Sequence, residues 1–234
     1  TSGSPGSWGD TGYWNNGYMP GAYDNVNING YMTLSQGYSA AMLTIGSGYS
    51  MNLAGYALTA ANGIYNNGTM TMIGNEAITG AITNAAGSTV KYTGTSTYTA
   101  LKGGTNYSNL TFDGTGGRWN ADGHITVTGA VNVASGTFDL GSKNLTVSGN
   151  FTVNGTFNSG TGTVEFTDAS QVSYVHGTTF ANLAIIEPGK QVVIDPGLTE
   201  TITNNLTITG TANNPIIMSS STSGQQWNID PQGT

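Results

Sequence analysis

The chain has 234 residues, of which 7% are charged; five Lys plus Arg face twelve Asp plus Glu, and the net charge is −7. So few cations exclude a nucleic-acid partner, which needs basic clusters to neutralise phosphates, and the absence of cysteine excludes disulfides and thiolate metal sites. No apolar run approaches the ~20 residues of a membrane-spanning helix, and the short alternating segments fall below the ~9–11 residues of a lipid-facing strand.

In chain order, residues 1–37 read as an N-terminal opening and cap segment continuous with the repeat region. It is rich in Tyr and Trp and opens on Thr1-Ser-Gly-Ser-Pro-Gly, with no basic start and apolar stretch; a leader, if the parent had one, is expected to be gone. Trp8 and Trp14 are expected to close the open end of a stacked fold, whose terminal unit must hide its core and its unpaired edge. A sugar-stacking platform is the other reading of the two indoles. Pro20 and Asp24 are turn and corner residues.

Residues 38–234 carry the repeat. Pairs of apolar residues separated by one polar residue recur along the chain: Leu43/Ile45, Met70/Met72, Val90/Tyr92, Leu110/Phe112, Ile125/Val127, Leu145/Val147, Val164/Phe166, Leu183/Ile185, Leu206/Ile208. Such pairs place both apolar side chains on one face of a strand. From Gly46 to about Ala86, Met and Ala replace Val and the period blurs, which predicts a longer coil or a lateral loop. Helix signals are scarce: the alanines of Ala57–Ala61 are flanked by Gly55 and Gly63.

The pairs return about every twenty residues, the scale of one coil in a stacked repeat fold. Very short strands and Gly or Asn-Gly corners favour stacking over the antiparallel sandwich or barrel that alternation alone also allows. The expected fold is therefore all-β: a single-stranded, right-handed parallel β-helix (β-solenoid) of about ten coils with an aromatic N-terminal cap. Varying coil length suggests the right hand, and ten coils at ~4.8 Å each give a rod of roughly 50 Å.

Trp8, Trp14, Pro20-Gly21 and Asp24-Asn-Val26 with Ile28 resemble the opening motif of bacterial cell-surface, adhesin-like β-solenoids, and also the start of the extracellular domain named for its eight glycines. Tyr107-Ser-Asn-Leu110-Thr-Phe112, Leu145-Thr-Val147-Ser-Gly-Asn-Phe151 and Thr178-Thr-Phe180-Ala-Asn-Leu183 are similar to the repeats of the same proteins. The resemblance implies an architecture and an extracellular, cell-surface location rather than an activity. Such proteins are usually longer, so the chain is expected to be one segment of a larger product.

The densest polar cluster is Asp113, Arg118, Trp119, Asp122 and His124. With Tyr107 it offers a groove for a glycan, and a glycosidase would need two of its carboxylates ~5 Å or ~6.5–9.5 Å apart. The plainer reading is a solvated corner with a local ion pair. His176, Glu187, Lys190, Asp195 and Glu200 lie between Pro-Gly turns and are read the same way. Outward threonines (Thr126, Thr128, Thr146, Thr207) suggest an ice-binding array, weakened by Ser148 and Asn154 where the pattern wants Thr. No catalytic residue, metal ligand set or cofactor motif is found. The expectation is a non-enzymatic structural protein of a bacterial surface layer, sheath, fibre or adhesin, forming homo-oligomers or filaments through its ends. A carbohydrate-binding or carbohydrate-active β-helix domain is the alternative.

Overall fold

A computed structural model describes residues 6–233; Thr1 to Pro5, which the expected opening segment includes, and Thr234 lie outside the described residues. Every strand pairing in it is parallel, from Gly6↔Met32 to Thr199↔Asn228, with register shifts in two of them. That arrangement rules out the antiparallel sandwich. The chain winds as a β-solenoid of about nine turns, against the ten expected. Among the described residues there is no α-helix, only a 3-10 turn at Thr11–Tyr13.

Stacking follows from side-chain alternation. One inward file runs Met32, Met51, Met70, Val90, Leu110, Val131, Phe151, Val175, Ile194, each paired with the next. All nine are buried. The file one residue later runs Thr33, Asn52, Thr71, Lys91, Thr111, Asn132, Thr152, His176 and faces out. Each buried aliphatic side chain contributes about 1.5–3 kcal/mol of transfer free energy. Each outward β-branched Thr suits the pleat.

The coils are of two kinds. Between Asn25 and Asn84 each coil has three short strands, one in each of three sheets; Met42–Ile45, Ser50–Asn52 and Leu58–Ala60 make one such turn. Its strands stack on the next turn through Leu43↔Ile64, Met51↔Met70 and Leu58↔Ile78. The Met- and Ala-rich stretch is thus a set of regular coils, and the lateral loop expected there does not exist. Methionines fill a narrow core in which Met51, Met70 and Met72 are fully buried. Corners are tight: a Cβ on Gly80 (φ 112°) would lie 2.1 Å from the Ala60 carbonyl oxygen of the coil before.

Beyond Asn106 the walls are wider, being made of longer strands. Two strands lengthen and wrap a corner, Asn109–Asn120 and Val131–Asp139, while a seven-stranded sheet closes the other side. Register slips between Phe112 and Asp113 and again before Arg118, where the strand bends through Gly114, Gly116 and Gly117. The interior of this half is filled by rings. Phe112 stacks on Phe138 at 4.4 Å between centroids, Phe138 meets Phe157 at 5.7 Å, and Phe151 meets Phe180 at 5.7 Å.

Coil strands begin at Asn25–Ile28, inside the segment expected as an opening, and Val26 pairs directly with Leu43. Trp8 is buried and stacks on Tyr38 at 5.3 Å, with Trp14 edge-on at 5.2 Å. The Trp14 indole donates to the Trp8 carbonyl (2.8 Å) and the Trp8 indole to that of Pro20 (3.4 Å). Asp24 accepts from the Gly21 amide (2.8 Å), fixing the turn before the first coil.

Candidate functional site

The aromatic members of the sequence-predicted groove are inside the protein. Trp119 has no exposed surface, stacks on Tyr98 at 5.9 Å, and donates its indole N–H to the Ile73 carbonyl at 3.0 Å. Tyr107 is 2% exposed and donates to the Gly104 carbonyl. Burial pushes the phenols of Tyr107 and Tyr92 well above their ordinary range. Both Tyr107 and Trp119 are core residues, and the expectation that they line a ligand groove is corrected. The cause is register: Trp119 pairs with Phe138 and with Tyr98, both inward.

The polar members do reach the surface, but each is engaged by another coil. Asp113 pairs with Lys91 at 2.6 Å and accepts from Ser135 at 3.2 Å; hydrogen bonding and charge from Lys91 hold its carboxyl below the usual range. Arg118 pairs with the buried Asp139, which also accepts from the Gly141 amide (2.8 Å) and from Asn158 (3.1 Å). Asp122 accepts from the Leu101 amide at 3.3 Å. Among the described residues no hydrogen bond or ion pair joins Asp113 to Asp122. His124 accepts from the Asn144 amide through Nδ1 at 2.9 Å, which places its ring proton on Nε2.

Where Asn109–Asn120 and Val131–Asp139 bend, the surface is concave. A groove of about 620 Å³ runs along the solenoid there, with Gly116, Gly117, Gly136 and Gly155 as its floor. A Cβ on Gly136 (φ 73°) would lie 2.4 Å from the Gly114 carbonyl oxygen and 2.9 Å from the buried Trp119 ring, so the coils pack too closely there for a side chain. One wall is the in-register file Thr97, Arg118, Thr137, Thr156. Ser135 and Asn154 also line it.

The cluster around Lys190 also departs from expectation. Lys190 is fully buried, and its ammonium donates to the carbonyls of Ser148 (2.7 Å) on one turn and of Gln171 (2.9 Å) and Asp168 (3.2 Å) on the next, tying both to its own segment. Burial lowers its pKa, and the charges of Asp168 and Glu187 oppose that. Glu200 is 1% exposed; Oε2 accepts from the Thr178 amide at 2.8 Å while Oε1 has no partner. Burial raises its pKa.

His176, Asp195 and Ser221 form an outward ladder, Nδ1 to Oδ2 at 2.5 Å and Oγ to Oδ1 at 2.5 Å. These bonds, the Ser221 one foremost, lower the Asp195 pKa. The carboxylate sits between the other two, so the serine hydroxyl donates to the weakly basic Asp195 and has no hydrogen bond to the imidazole. Alternation carries the signal for the two buried groups: Lys190 shares parity with inward Val192 and Ile194, and Glu200 with inward Ile202.

The outward file of the seven-stranded sheet reads Asn106, Thr126, Thr146, Glu165, Ala184, Thr207. Glu165 and Ala184 interrupt any ice-matching array of threonines. Among the described residues no group of three His, Asp or Glu side chains is arranged to hold a metal ion, and no helix is long and apolar enough to cross a membrane. Neither a protein-family model, nor a curated protein, nor a solved structure matches the chain.

Proposed function

We propose that the chain is a structural β-solenoid module of an extracellular bacterial surface layer, sheath, fibre or adhesin, with no catalytic role of its own. The observation that carries this reading is where the ionisable groups go. Lys91–Asp113, Arg118–Asp139 and His176–Asp195 each join neighbouring coils, and the Lys190 ammonium ties three segments together from within. Charge in this molecule fastens the rod. The remaining outward surface combines Thr, Ser, Asn and Gly with exposed tyrosines such as Tyr18, Tyr23 and Tyr174, a hydrated skin suited to exposure and to side-by-side packing.

The ends are the assembly surfaces. At one, the indoles of Trp8 and Trp14 cover the first coil in the manner of a cap. At the other, Ile208 and Ile217 are 41% and 47% exposed, and among the described residues Asn228–Pro231 pairs along one side only. A parallel ladder with apolar residues at its edge is a template for a further coil, and a head-to-tail contact that does not close builds a filament. Light scattering over a wide concentration range, with negative-stain imaging, tests this reading. Rods or concentration-dependent growth are expected, and a strictly monomeric species at all concentrations removes the assembly. Protease shaving of intact cells tests the location: a chain that stays protected until lysis is not a surface protein.

A further inference from the structure

We infer that the glycine-floored groove at the bend of the long strands is a binding site for an uncharged, extended glycan lying parallel to the solenoid axis. This goes beyond the structural role and is independent of it. The groove offers Thr97, Thr137 and Thr156 in one file with Arg118 among them, and Asn154 and Ser135 beside it, the Ser135 proton being given to Asp113. Each threonine hydroxyl both donates and accepts, and the Asn154 amide does the same at two atoms. A polyhydroxylated chain needs that mixture.

Other occupants fit less well. An extended peptide binds a sheet through free backbone groups, but those here are committed to the ladder. The Arg118 amide donates to Ser96 (2.9 Å), and the Asn154 and Gly155 amides donate to Val133 (2.9 and 2.8 Å). An apolar ligand would find no large apolar side chain in the lining. An anion would meet a cation already neutralised, because Arg118 is paired with Asp139.

That pairing suits a neutral ligand. Asp139 and Asn120 fix the guanidinium through two of its nitrogens, and its remaining N–H groups stay available as rigid donors. Spacing agrees as well. The wall repeats once per coil, ~4.8 Å, about the length of one pyranose ring in an extended chain. From Thr97 to Thr156 is three coil steps, room for about three sugars over ~14 Å.

The test is titration of the full chain, followed by amide NMR and calorimetry, with cellohexaose, chitohexaose, hexagalacturonate and an uncharged extended decapeptide. The expected result is that a neutral hexasaccharide binds and shifts the amides around Thr137 and Thr156. Replacing both threonines by valine keeps their β-branched shape and removes two hydroxyls. It should weaken binding about tenfold, whereas Thr126→Val with Thr207→Val, on the seven-stranded sheet, should leave binding unchanged. No shift in the groove with either neutral hexasaccharide, tighter binding of the galacturonate or the peptide, or an unaltered affinity in the groove variant each overturns the site. None of these outcomes touches the assembly reading, which light scattering decides separately.

Discussion

The two halves of the solenoid solve the same stacking problem with different cross-sections. In the coils from Asn25 to Asn84 three short strands enclose a narrow core of Met, Leu, Ile and Ala, and corners turn within a few residues. In the coils from Asn106 to Ile208 longer strands wrap a core of stacked rings, and two of them bend without ending their ladder. The difference shows that one parallel backbone ladder accepts two kinds of core. Rings fill the second half, and the long strands that bend around them form the groove.

If the second kind of core rests on its rings, removing one from the wide half should be the most damaging change. Phe138→Ala deletes a ring packed between Phe112 and Phe157 and should cost about 3–5 kcal/mol. Met70→Ala in the narrow half should cost about 2–4 kcal/mol, since the small section has neighbours that can close in. Denaturant melts combined with residue-resolved hydrogen exchange would compare them; equal losses, or a larger one at Met70, would dissolve the distinction.

Next in size is the internal ammonium. Lys190→Met keeps most of the bulk and removes three charge-assisted hydrogen bonds, while the Ser148 and Asp168 carbonyls keep the Ser173 hydroxyl and the Gln171 amide, so it should destabilise the coils around residues 148–190 by about 1–3 kcal/mol. Protection factors there should fall while those near Leu43 stay unchanged. A variant as stable as the wild type would show the ammonium to be incidental.

Corners give a smaller contrast. Gly136→Ala meets both a left-handed φ of 73° and a backbone oxygen at 2.4 Å, whereas Gly87→Ala meets a φ of 82° and open space. The first should lose about 2–3 kcal/mol and the second about 1 kcal/mol, as read from thermal midpoints. Matching midpoints would mean the bend can open to accept a methyl group.

The smallest effect is on pH dependence. Glu200 has a raised pKa in the folded chain because it is buried. Its stabilising share is therefore fully present below the ordinary carboxylate range and is lost as pH rises through the raised value. The wild type should weaken from acid toward neutral pH, and Glu200→Gln should flatten that slope. An unchanged slope in the variant would assign the pH dependence to other groups.

Much of the wide half was legible in the sequence. Leu145-Thr-Val147 and Phe151-Thr-Val153 announce inward and outward faces by alternation alone, and both fall where expected. The Met-rich half was not legible as coils, because Ser50-Met51-Asn52 offers a single inward residue and Met and Ala carry little strand preference. Its regularity emerges only when Met51 is seen beneath Met70.

The candidate groove failed for a related reason. Gly114 to Gly117 reads as a soft loop, but it is the bend of a continuous strand, and continuity carries Trp119 back to the inward side. The groove that does exist is made by glycines some twenty residues apart in sequence. No local pattern reveals such neighbours before the register is known.

One consequence of the parallel register concerns length. Thr69 takes the same place beneath Ser50 that Thr89 takes beneath Thr69, so the two edges of a narrow coil are interchangeable. Excising residues 50–68 would join Tyr49 to Thr69, carrying the chain into the next coil at the same corner. The narrow half is thus graduated like a ruler, adjustable in steps of ~4.8 Å without redrawing any joint. A lineage that gains or loses one such turn changes how far the wide half stands from whatever holds the other end, and changes little else.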